Sequence, residues 1–72
     1  MDIKQKWLLN FIKSNSGIEH INIVNEFPWG YYRTGSKTML DYLNDLEKRR
    51  LIKKSHGRYH FLTDNEEEGN FF

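Results

Sequence analysis

The stretch from Ser36 to Thr63, SKTMLDYLNDLEKRRLIKKSHGRYHFLT, decides the fold. In its first half Met39, Leu43 and Leu46 recur at i, i+4 and i+7 while Lys37, Asp41, Asn44, Asp45 and Lys48 take the other side, the pattern of an amphipathic helix. In its second half, Leu51 to Ser55 and Arg58 to Thr63 are β-prone runs on either side of His56-Gly57. A glycine there supplies the positive φ that a two-residue hairpin turn needs. A helix therefore runs directly into a short basic hairpin.

Upstream, Asp2 caps a first helix from Ile3 to about Lys13, with Ile3, Trp7, Leu8, Phe11 and Ile12 on one stripe and Lys4, Lys6 and Asn10 opposite. Ser14-Asn15-Ser16-Gly17 ends it, with a glycine suited to a helix C-cap. Ile18, Ile21, Val24 and Phe27 predict a short second helix, roughly His20 to Glu26, stopped by Pro28, because the residue before a proline is pushed out of the α region. Phe27 to Thr34 reads as a loop, and Ser36, or Thr34 before it, as the cap of the third helix. The fold class is α+β: three helices followed by a two-stranded antiparallel hairpin, forming one domain over residues 1–63.

A chain of 72 residues builds a small core, and its five Phe, four Tyr and two Trp enlarge what that core can bury. With no cysteine, disulfides, thiolate metal sites and Cys nucleophiles are excluded, in keeping with a reducing compartment. No apolar run is long enough for a signal peptide or a bilayer span, so the expectation is a cytoplasmic protein with no membrane partner. Net charge is only +1, but residues 1–63 hold eleven bases against six acids, whereas the last nine residues, DNEEEGNFF, hold four acids and no base. A +5 body points to a polyanionic partner. The composition of residues 64–72 predicts an acidic, disordered tail. Richness in Lys, Asn and Ile suits an AT-rich genome such as a phage or plasmid.

Thr38, Met39, Leu43, Leu46, Leu51 and Ile52 fall on the T-V-x-x-x-L-x-x-L-x-x-x-G-L-I pattern found where the recognition helix meets the wing in MarR-like and ArsR-like bacterial regulators. Residues 2–63 thus resemble a minimal winged-helix DNA-binding domain. Two features depart from the pattern. Arg50 stands where glycine is usual, which predicts a helix end without a left-handed cap or a cation answering the helix dipole. The segment between the second and third helices is also longer than a tight helix-turn-helix allows.

The resemblance implies that Ser36, Lys37, Leu40, Asp41 and Asn44 face bases, with Asn44 suited to adenine and Lys37 to guanine. It places Arg33, Lys53, Lys54 and Arg58 on phosphates. Asp41 fits poorly, because phosphate repels a carboxylate. Trp29, Tyr31 and Tyr32 beside Arg33 form an aromatic patch that can cover a small core, stack on unpaired bases or anchor a protein. The acidic tail closed by Phe71 and Phe72 resembles the tails of single-stranded-DNA-binding proteins, which implies competition with nucleic acid for the basic surface and docking by the final Phe.

Other chemistry finds little support. Gly30 to Thr38, GYYRTGSKT, misses the phosphate-loop spacing by one residue and lacks the strand and parallel sheet that loop requires. His56 and His60 fall at a hairpin turn and the strand beyond it, a poor metal pair, and His20 reads as an ordinary residue of the short helix. No nucleophile and base set stands out, so the expectation is no enzyme, no metal and no cofactor. Two functions follow from the residues. The first is a winged helix that binds DNA, duplex favoured and single strand allowed, as a small transcription regulator or replication accessory. The second is a winged helix that occupies a protein partner through Trp29, Tyr31, Tyr32 and the tail. The oligomeric state stays open.

Overall fold

The computed structural model describes residues 1–29 and 38–64. They form α1 (Ile3–Ser14), β1 (Ile18–Glu19), α2 (His20–Glu26), α3 (Met39–Lys48), β2 (Ile52–Ser55) and β3 (Arg58–Phe61). The strands make one antiparallel sheet in the order β1-β3-β2. The two-stranded hairpin expected from the sequence is therefore a three-stranded sheet. β1 opposes β3 through Ile18 with Tyr59 and Glu19 with Arg58. A two-residue strand carries no readable periodicity, and its neighbours hold it in place: Gly17 N–H donates to Tyr59 O at 2.7 Å, and Phe61 N–H donates to Ser16 Oγ at 3.0 Å. Gly17, at φ 91, makes the bend into β1 rather than capping α1, whose C-cap is Asn15.

The hairpin turn is as the sequence predicts. His56 and Gly57 have φ 54 and 74, both positive, as a type I′ turn requires. α2 has the expected bounds, and Asp2 caps α1 by accepting the Lys4 N–H at 3.1 Å. α3 begins later than expected, because Thr38 and neither Ser36 nor Thr34 is its cap. Thr38 Oγ1 accepts the Asp41 N–H at 3.3 Å and Asp41 Oδ2 accepts the Thr38 N–H at 2.9 Å, a closed capping box.

At its other end α3 stops in a Schellman motif. Leu51 N–H donates to Leu46 O at 3.1 Å and Arg50 N–H to Glu47 O at 3.0 Å, while Leu46 and Leu51 are both fully buried. Arg50 has φ 63, so the left-handed cap is present and an arginine occupies it. The expected absence of that cap is corrected: the tight exit that buries Leu51 forces the conformation on whichever residue stands at position 50.

The core joins Leu8, Leu9 and Ile12 of α1, Ile23 of α2, Phe27, Met39, Tyr42, Leu43 and Leu46 of α3, and Leu51, Ile52 and Tyr59. Two expected stripes rotate. On α1, Ile3 is exposed and Gln5 is buried. On α2, Ile21 is exposed while Ile23 faces inward, and Ile18 belongs to β1. Burial of Gln5 is compensated across the α1–α3 seam, where its Nε2 donates to Asp45 Oδ2 at 2.7 Å and to Tyr42 O at 3.3 Å. Tyr42 Oη donates to Asp2 Oδ2 at 2.7 Å, and this bond raises the phenol pKa above its ordinary value. Among the described residues, no helix is long and apolar enough to cross a membrane.

Candidate nucleic-acid interface

Register fixes which hairpin side chains share a face. Lys53 opposes His60 and Ser55 opposes Arg58, so these four stand on one side, whereas Ile52, Lys54, Tyr59 and Phe61 stand on the other. Tyr59 is buried, which makes the second side the inner one. Lys54 stands on that inner side yet is exposed, with its Nζ over the Tyr59 ring, 5.6 Å from the centroid. Lys53 is exposed on the outer face.

Arg58 is exposed but engaged. Its Nη2 pairs with Glu19 Oε1 and its Nη1 donates to Gly17 O, each at 3.0 Å. A phosphate at this position would share the guanidinium with Glu19. Lys48 and Arg50, at the end of α3, are exposed like Lys53 and Lys54. Among the described residues no carboxylate pairs with any of these four. Five cations thus lie within residues 48–54, Arg49 paired with Asp45 and the other four without a carboxylate partner among the described residues; all five belong to the basic set visible in the sequence, where only Lys53 and Lys54 are assigned to phosphates.

The outward face of α3 has a different character. Its exposed residues are Leu40, Asp41, Asn44, Glu47 and Lys48, two carboxylates against one amine. Asn44 is accessible there, between Asp41 one turn earlier and Glu47 one turn later. Asp41 serves the capping box, so its presence has a structural cause that the sequence contained in the spacing Thr38-x-x-Asp41. Asp45 likewise serves the fold, accepting from Gln5 and from Arg49 Nε at 2.9 Å.

Of the other expected site residues, Trp29 is half-buried, its ring centroid 5.4 Å from that of Phe27 and 6.4 Å from that of Trp7. Trp7 in turn stacks on Phe11 at 4.8 Å. Tyr31, Tyr32, Arg33, Ser36, Lys37, Phe71 and Phe72 lie outside the described residues. So does the tail beyond Asp64, whose Oδ2 accepts from Lys13 Nζ at 2.7 Å. That lysine holds the Asp64 pKa below its ordinary value.

His20 Nδ1 lies 3.2 Å from Tyr59 Oη, and burial, followed by the nearby Lys54 charge, lowers its pKa. The Nδ1 of His56 meets Ser55 Oγ at 2.9 Å. Among the described residues no three histidine or acidic side chains gather as metal ligands. No family model matches the sequence, and comparison with curated proteins and with solved structures gives no match.

Proposed function

We propose that this chain is a winged helix that binds nucleic acid chiefly through the phosphate backbone, using the end of its third helix and the hairpin as the wing. The observation that carries the proposal is the set Lys48, Arg50, Lys53 and Lys54, four exposed cations at the end of α3 and on the two faces of the strand that follows, with no carboxylate partner among the described residues. Support for the winged-helix assignment comes from the order of three helices and a tight hairpin entered directly from α3. Base reading by α3 is the weaker part, since Asp41 and Glu47 flank Asn44 on the face a groove would meet. Affinity should therefore be nearly independent of sequence, with duplex favoured and single strands also bound. Fluorescence anisotropy with several unrelated duplexes and one single strand, each over a salt series, tests this. Similar affinities that fall steeply with salt agree with the proposal, and a salt-independent complex or none contradicts it.

A second reading, a winged helix that docks on a protein, is favoured by exposed Leu40 beside Asp41, Asn44 and Glu47, a face better suited to a protein than to phosphate. Leu40→Asp would then abolish capture of the partner and leave nucleic-acid affinity nearly unchanged.

A further inference from the structure

An open groove of about 620 Å³ runs between the C-terminal end of α1, the turn after it and α2. Its size falls within the range of ligand-binding clefts. Phe11 and Ile18, both half-buried, supply apolar surface, and Asn15, Asn22, Asn25 and Glu26 supply the polar edge. No basic side chain lines it among the described residues. Asn22, Asn25 and Glu26 stand at i, i+3 and i+4 on α2 and so share one face. Their side chains make no hydrogen bond or ion pair among the described residues, whereas Asn15 Nδ2 is committed to Phe11 O at 2.9 Å.

We propose that this groove binds an extended peptide carrying lysine or arginine. An amide side chain offers a donor and an acceptor together, the pair that one residue of an extended backbone presents. The Cβ atoms of residues i and i+3 on a helix lie about 5–6 Å apart, close to the roughly 6.5 Å between alternate residues of an extended chain, so Asn22 and Asn25 can hold two alternate peptide positions. Glu26, one residue further on, meets the cation, and Phe11 with Ile18 covers an apolar neighbour. A nucleic-acid strand fits less well, because its phosphates would face Glu26, and the nearby cation, Arg58 at Gly17 O, is already paired with Glu19.

The test is an amide-shift titration of the full chain by NMR with three probes: a capped peptide of alternating leucine and lysine, its glutamate counterpart, and an oligothymidine. The expected result is saturable shifts at Asn22, Asn25 and Glu26 with the lysine peptide alone. Glu26→Gln should weaken that binding about threefold or more, the effect of one exposed ion pair. Asn22→Ala with Asn25→Ala should remove it while the melting temperature stays near that of the wild type, all three residues being exposed. Equal binding of the two peptides, no saturable shift, or the same residues responding to oligothymidine would each overturn the proposal.

Discussion

In the first turns of α3, Asp41 closes the capping box with Thr38, and Asp45 receives both Gln5 and Arg49. At the far end of the same helix, and just beyond it, Lys48, Arg50, Lys53 and Lys54 are exposed with no carboxylate partner among the described residues, Lys54 lying over the Tyr59 ring. Charge in the first region is consumed by the fold, and charge in the second is surplus to it. Polar groups that a fold needs report their loss as stability, whereas surplus cations report theirs as binding. Substitutions in the two regions should therefore separate cleanly.

The largest effect should come where α3 turns into the hairpin, since Leu46 is fully buried and packs inside the Schellman motif. Leu46→Ala is expected to cost about 2–5 kcal/mol in chemical denaturation, which for so small a domain lowers the melting point by tens of degrees at the upper end. Gln5→Ala comes next. It removes the buried donor to Asp45 and Tyr42 O and should cost about 1–3 kcal/mol, with nucleic-acid affinity kept by whatever fraction stays folded. Thr38→Ala opens the capping box at a cost of about 1 kcal/mol, and a loss below the error of the melt would mean that the box contributes nothing.

Arg50→Gly sharpens the contrast because its two effects have opposite sign. A non-glycine residue in the left-handed region costs about 1–2 kcal/mol, and glycine returns about 0.5–1 kcal/mol of that as chain entropy. The variant should melt higher by a few degrees and bind nucleic acid more weakly, its log-log salt slope smaller by about 0.9. Lower stability would show that the arginine side chain has a structural task.

The smallest effect is the pH dependence due to His20. Its pKa in the fold lies below the unfolded value near 6.5, so the unfolded chain takes up the proton first as pH falls. This contribution to stability is complete above the usual histidine range and declines as pH drops through it toward the folded value. Melting curves from neutral pH to about pH 5 should show the decline in the wild type, and His20→Phe should flatten it. An identical pH profile in the variant would assign the decline to other groups.

Much of this architecture was legible because its signals are local. Asp2 before an apolar stripe, Pro28 after a short one and His56-Gly57 between β-prone runs each name their own structure, and the helices and hairpin follow them. What escaped depends on partners distant in sequence. β1 exists because Ser16, Gly17 and Glu19 meet β3 some forty residues later, at Phe61, Tyr59 and Arg58. Burial of Gln5 depends on Asp45, forty residues later. Arg50 defies the glycine preference because burial of Leu46 and Leu51 outweighs the strain at a single residue. The capping box is written in the spacing Thr38-x-x-Asp41, and it, rather than a base contact, accounts for Asp41. For the interface, the pattern pointed to the hairpin lysines, but the commitment of Arg58 to Glu19 and the acidic exposed face of α3 required coordinates.

The central claim, that the surplus cations of residues 48–54 hold a nucleic-acid backbone, is tested most directly by the salt dependence of duplex binding in a variant carrying Lys48→Ala, Arg50→Ala, Lys53→Ala and Lys54→Ala. Each lost phosphate contact should remove about 0.9 from the log-log slope, so the four together should lower it by roughly 3–4 with the melting temperature little changed. A variant that binds as tightly as the wild type, with the same slope, would contradict the account.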